Sequence, residues 1–317
     1  RRPPRSTLFP YTTLFRSILL GISLITLILI DITPGEPERM VLGAGAIATE
    51  EQLQAVREEL GLNDPFLVRY VRFIYNAIQG DFGISYATKR EVAGEIFQRF
   101  PYTLLISGLS VALAVIIGIP LGVYAATHQY SWKDNAAIVL SLICVSMPGF
   151  WFALILVRVF AVQLRWLPPA GIDTWKGWVL PVVSLALGYT AMVSRQMRSS
   201  FLEVIRQDYI TTARAKGQTE RKVLYRHALK NALIVVVMTV GSMFGTALGG
   251  ALIAEVIFSV PGIGQYLFSG LSNRDYPVIQ GCVLFISVIF SLVILLVDLI
   301  FAFIDPRIRS QYSSKKQ

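Results

Sequence analysis

Tyr102–Ala126 reads YTLLISGLSVALAVIIGIPLGVYAA, a run without a charged residue and apolar on every side of the helix it would form. About 20 mostly apolar residues suffice to cross a bilayer core as a helix. Comparable runs recur at Phe15–Ile30, Ala136–Val162, Trp178–Ser194, Ala232–Ile257 and Val278–Ile304. Together they predict an all-α, polytopic membrane protein with about six transmembrane helices. A mean hydropathy of +0.58 and 15% charged residues over 317 positions exclude both an ordinary soluble globule and a disordered chain.

The formal charge of +9 follows topology. With the N-terminus inside, the inner segments 127–134, 195–231 and 304–317 hold 14 basic and 5 acidic residues, whereas the outer segments 33–100, 162–177 and 257–277 hold 10 and 12. Basic residues collect on the cytoplasmic side of membrane proteins, so both termini are expected there and a nucleic-acid role is set aside. The cysteines, Cys144 and Cys282, lie inside apolar runs and read as packing residues.

The domain plan is as follows. Thr7–Ser17, TLFPYTTLFRS, resembles the translation of a sequencing-adapter oligonucleotide, so residues 1–17 are read as non-native. A first transmembrane helix covers 18–32, and Pro34, Gly35 and Pro37 break it. Residues 33–100 form an outer segment with two short helices, one over 50–60 with Leu53, Val56 and Leu60 on one apolar stripe, and one over Pro65–Gln79. The transmembrane domain runs over 101–304, and 305–317 is a cytoplasmic tail.

Several spans carry helix breakers. Gly118-Ile119-Pro120 lies late in the second, Pro148 in the middle of the third, and Pro181 opens the fourth. A proline in lipid frees a carbonyl that neighbours must satisfy, which makes Pro148 a candidate for shaping a pathway. Gly241, Gly245 and Gly249 fall four apart and predict a helix-packing face. Ionisable residues within apolar runs are Asp31, Arg158, Glu255 and Asp298; the first three are within reach of a boundary, and Glu255 and Asp298 are candidates for gating or substrate contact.

The inner segment 195–231 is the most informative. Phe201, Val204, Ile205, Tyr209 and Ala213 have helical spacing, which extends the fourth span to a stop at Gly217; Thr219 can then cap a second helix with Glu220 in its first turn. Within this segment Arg206–Ile234, RQDYITTARAKGQTERKVLYRHALKNALI, strongly resembles the signature loop of binding-protein-dependent ABC importer permeases of the dipeptide, oligopeptide, glutathione and nickel branch. Thr211-Thr212-Ala213 stands where the wider family has Glu-Ala-Ala, Gly217 fills the glycine slot of the pattern, and His227-Ala228-Leu229-Lys230 closes it. PGEP, LGLNDPFLVRY, QGDFGISY, SMPGFW, WLPPAG, GGALIAEVIFSVPGIG, RDYPVIQG and DPRIR extend the resemblance along the chain. Ile294 departs from it, standing where the last span commonly has Asn.

The resemblance implies a type I ABC importer permease fold and a translocation path for small peptides across the inner membrane of a prokaryote. It implies as partners a second permease, two ATP-binding subunits and an extracytoplasmic substrate-binding protein. Thr211, Thr212, Ala213, Arg214, Ala215, Lys216 and Gly217 would be the element that couples to an ATP-binding subunit, with Arg214, Lys216, Arg221 and Lys222 as a basic face. No Gly-Lys dipeptide is present, hence no phosphate loop, and the two histidines, His128 and His227, lack metal-ligand spacing. Neither enzyme activity nor a cofactor is expected of the chain itself. A nickel-complex permease is the alternative substrate class. On composition alone a secondary transporter also stays open, but its inverted repeats are not visible.

Overall fold

The computed structural model describes residues 10–32, 37–42 and 49–304. In chain order the helices are α1 (Pro10–Ile32), α2 (Pro37–Leu42), α3 (Glu50–Glu59), α4 (Phe66–Ile78), α5 (Val92–Thr127), α6 (Trp132–Ser146), α7 (Gly149–Leu156), α8 (Val179–Ile205), α9 (Asp208–Ala215), α10 (Glu220–Lys222), α11 (Leu229–Phe258), α12 (Ile263–Ser272) and α13 (Tyr276–Ile304). A π-helical stretch, Val157–Gln163, continues α7, and another, Val223–Ala228, joins α10 to α11. Among the described residues the only β-pairing is an isolated bridge between Ile84 and Glu91.

Among the described residues four helical segments, Val92–Thr127, Trp175–Ile205, Glu220–Phe258 and Tyr276–Val297, are long and apolar enough to cross a membrane. The run expected as a single third span is two helices meeting at 99°. The reason is local: Pro148 has no N–H to donate, and its ring forces Met147 out of the α region to φ −76°, ψ 131°. The described apolar part of α1, Ser17–Ile32, is shorter than the other spans.

Two boundaries differ from expectation, while Pro181 opens its helix as expected. α5 starts at Val92, well ahead of Tyr102, and passes through Pro101 and Pro120 without ending, so Gly118-Ile119-Pro120 is not a break. Membrane helices tolerate proline because neighbouring groups and small backbone adjustments satisfy the freed carbonyl. Pro181 falls in the first turn of α8, where a missing N–H costs no helical bond. α1 begins at Pro10, so helix runs through part of the adapter-like segment.

The chain divides into two compact units, Arg1–Thr103 with Pro261–Ser291, and Leu104–Val260 with Leu292–Gln317. In the first unit, Thr49 and Gln52 form a capping box at the start of α3; Leu53 and Val56 of its expected stripe are buried, while Leu60, the C-cap, is half-buried. Glu38, almost fully buried, accepts from Arg57 Nε at 2.6 Å. The strap 84–91 is tied down by Asp275 Oδ2, which accepts from the Ser85 hydroxyl at 2.6 Å and from the Ala87 N–H at 3.1 Å. Burial, reinforced by the Asp275 carboxylate, pushes the Tyr86 phenol well above the usual tyrosine range. Phe97 and Phe100 meet Phe285 edge-on, at centroid distances of 5.5 and 5.3 Å.

The second unit is built round α8 and α11. Its core runs from Val111, Val123 and Ala126 of α5 through Val193, Met197 and Phe201 of α8 to Ala232, Val236, Met243 and Ala247 of α11. Ile210 and Ala213 of α9 and Val223 belong to the same core. That continuity fixes the segment 206–228 to the long helices.

Candidate functional site

The segment expected as one helix from α8 to Gly217 is interrupted. α8 ends at Ile205, Gln207 is extended at φ −76°, ψ 146°, and α9 restarts at Asp208, whose negative charge suits a first turn. The break redirects α9, so that Ile210 is fully buried and Ala213 nearly so, while Thr211, Thr212, Arg214, Ala215, Lys216 and Gly217 are exposed. Two apolar residues anchor the element, and the six around them form an outward surface.

Gly217 closes α9. Its φ is +73°, a left-handed conformation that costs an L-residue about 1–2 kcal/mol and a β-branched one more. Its N–H donates to the Arg214 carbonyl at 2.9 Å and the Gln218 N–H to the Ala213 carbonyl at 3.4 Å, the paired bonds of a Schellman ending. A Cβ at Gly217 would meet nothing within 4 Å, so the glycine is required by the backbone and not by crowding.

Two side-chain pairs brace the turn, and neither was foreseen. Arg214 grips Glu220 bidentately, Nε to Oε2 at 3.1 Å and Nη2 to Oε1 at 2.7 Å, and this bond holds the guanidinium even further above neutrality than usual. Nε2 of His227 lies 2.9 Å from Oε1 of Gln218. Thr219 occupies the N-cap position of α10, as expected, but its side chain makes no capping bond. Since Glu220 neutralises Arg214, the basic face consists of Lys216, Arg221 and Lys222, all exposed. A six-residue separation across a glycine, opposite in charge, was the available signal for the Arg214–Glu220 clamp.

The other candidates are scattered. Pro148 is the N-cap of α7, at the 99° bend. Beside it lies a cavity of about 240 Å³ lined in part by Met147, Gly149, Phe152, Tyr189 and Met192. Glu255 is 0% exposed in the last turns of α11, which end at the left-handed Ser259. Arg158 is exposed, and Asp31 pairs with Arg69 at 2.8 Å. The side chain of Asp298, residues 33–36 and the tail 305–317 lie outside the described residues. On α11, a Cβ at Gly241 would come within 2.6 Å of Val297, and Gly245 is buried, but Gly249 is open.

Comparably close helix contact occurs where no packing face was expected. A Cβ at Gly118 would approach Val193 at 2.9 Å, and one at Gly122 would lie 2.5 Å from the Ser194 carbonyl oxygen. These glycines, four apart on α5, let it lie directly against α8. Asp134 of α6, 1% exposed, is gripped by Arg198 of α8 at 2.6 and 2.7 Å, a link that spacing in the sequence could not reveal.

The model of the binding-protein-dependent transport system inner membrane component matches residues 118–310, and the N-terminal model of the same systems matches 13–107. This chain belongs to that permease family. Among its relatives is the glutathione transport system permease protein GsiC of Escherichia coli K12, 39% identical over 288 residues that span 91% of this chain and 94% of the relative. The protein of the same description from Shigella dysenteriae serotype 1 matches equally. The fold resembles an inward-facing MetNI methionine ABC transporter chain, with a TM-score of 0.58 and 18% identity over 67% of this chain and 96% of that one. It also resembles a chain of an amino acid ABC transporter with histidines, with a TM-score of 0.51 and 18% identity over 68% and 94%. The ABC permease reached from Arg206–Ile234 is thus the family found, and the protein is a multi-pass inner-membrane permease. Both α9 and the Gly217 turn fall within the matched 118–310 segment of this permease.

Proposed function

We propose that this permease forms the translocation path of an ATP-driven importer for glutathione or similarly small peptides, and that Thr211–Gly217 receives the motion of an ATP-binding subunit. The observation that carries the coupling role is the construction of the element. α9 is seated in the core by Ile210 and Ala213, stopped by a left-handed glycine and braced by the Arg214–Glu220 pair, so force applied to its exposed face is delivered to α8 and α11 instead of being lost in a slack loop. The substrate class rests on 39% identity to glutathione permeases over 91% of the chain.

The remaining parts follow from this reading. Both termini are cytoplasmic, ATP hydrolysis resides in two separate subunits, and a second permease and an extracytoplasmic binding protein complete the importer. Glycines 241, 245 and 249 serve helix packing, with open Gly249 as the position left for the second permease. Pro148, Glu255 and Asp298 belong to the pathway or its gate, with the cavity beside Pro148 as the place where the bent helix pair can yield. The test of coupling is paired. Gly217→Val should reach wild-type abundance in the membrane, since it lies between spans, yet lose ATPase stimulation by the loaded binding protein. Normal stimulation and normal uptake would reduce the segment to a passive linker. For the substrate, uptake of labelled glutathione by the reconstituted importer should be competed by unlabelled glutathione; uptake of a nickel complex without glutathione competition would replace that class.

A further inference from the structure

The polarity of α4 is inverted for a helix surrounded by water. Leu67, Val68, Val71, Tyr75 and Ile78 fall on one stripe and are all exposed, Val71 at 64% and Ile78 at 81%, and no residue of α4 is buried. Both charged residues of the helix are instead tied by ion pairs. Arg69 reaches Asp31 of α1 at 2.8 Å and is the better shielded of the two, while Arg72 reaches Asp64 at 2.6 Å.

The depth of α4 is set by a second contact. The Tyr70 hydroxyl donates to the Leu20 carbonyl at 2.9 Å and meets the Ser23 hydroxyl at 3.1 Å. Leu20 and Asp31 are about 16 Å apart along α1 at 1.5 Å per residue. The stretch between them, residues 20–30, contains no charged residue. α4 is therefore laid against the apolar body of α1 and not beyond its end. Water would leave its stripe as a large bare apolar patch, whereas an amphipathic helix seated about 5–10 Å into the headgroup and acyl boundary presents such a face to lipid.

We propose that α4 is an interfacial helix whose Leu67–Ile78 stripe is embedded in phospholipid, in the leaflet at the Asp31 end of α1. The segment 33–100 is then partly a membrane element and not wholly an aqueous cap. The inference rests on reading α1 as a span, so the test must separate the two. In the complete importer, reconstituted into vesicles of phosphatidylethanolamine and phosphatidylglycerol, a nitroxide is attached to Val71→Cys, Tyr75→Cys, Ile25→Cys on α1 or Glu59→Cys on α3. Each is made in a Cys144→Ala/Cys282→Ala background of verified membrane abundance. The ratio of collisions with oxygen to collisions with a water-soluble nickel chelate should be similar at 71, 75 and 25, and about threefold or more above that at 59, as expected of a face in the acyl boundary. A ratio at 71 and 75 equal to that at 59, with 25 still lipid-like, overturns the placement of α4 alone. A water-like ratio at 25 removes the span reading and the proposal with it. Poor access of both reagents at 71, relieved when the binding protein or partner permease is omitted, assigns the stripe to a protein and overturns lipid as its partner.

Discussion

Gly217 and its neighbours separate backbone demands from charge demands. Since a Cβ there meets no atom within 4 Å, substitutions should rank by their tolerance of φ near +73° and not by size. Asn populates the left-handed region more readily than other non-glycine residues, so Gly217→Asn should keep much of the ATPase stimulation that Gly217→Val loses. A ranking by volume in reconstituted complexes would count against the turn geometry. The Arg214–Glu220 pair is half exposed, so its direct contribution to stability is about 0–1 kcal/mol and its value lies in fixing the turn. Arg214→Glu should reduce stimulation, and adding Glu220→Arg should restore most of it, because the reversed pair can bridge the same gap. Equal loss in the single and double variants would show that no pairing is needed.

At the scale of elements, the close approaches decide which glycines matter to the folded chain. Gly122→Leu would drive a side chain into the Ser194 backbone, which cannot swing aside, so α5 and α8 must separate. Its thermal transition in detergent should fall well below that of wild type. Gly249→Leu fills open space and should leave that transition unchanged while weakening assembly with the partner permease. Comparable melting of the two variants would refute the contrast. α9 offers a complementary case: Ile210 is fully buried in the core of the second unit, and Ile210→Ala should cost about 2–5 kcal/mol in the local anchoring of the element. Proteolysis within 206–222 should then accelerate, even if the spans stay intact.

For the whole molecule, the charge distribution and the family together set the topology to be tested. A cysteine at Ser310 should be labelled by a membrane-impermeant maleimide only after permeabilisation, and one at Glu51 should be labelled in intact cells, because positive segments stay inside. The reverse pattern would overturn the orientation. It would also place the Gly217 turn on the side away from ATP, and the coupling proposal would fall with it.

The sequence by itself determined the solvent, the helical class and the family. Apolar length needs no partner to be read, and the Arg206–Ile234 pattern is local. It also placed Gly217 at a turn and α3 with its buried Leu53 and Val56, since capping and spacing act over a few residues. Tertiary structure alone decided which polar groups meet. Asp134 with Arg198, and Asp275 with Ser85, join residues 64 and 190 positions apart, and no spacing rule reaches so far. It decided that Pro148 bends its helix by 99° while Pro120 does not interrupt α5. A proline only removes a hydrogen bond, and what surrounds the freed carbonyl settles whether the helix continues. It decided likewise that Glu255 is enclosed and that α4 turns its apolar stripe outward, because burial is a property of the neighbours a helix acquires and not of the helix alone.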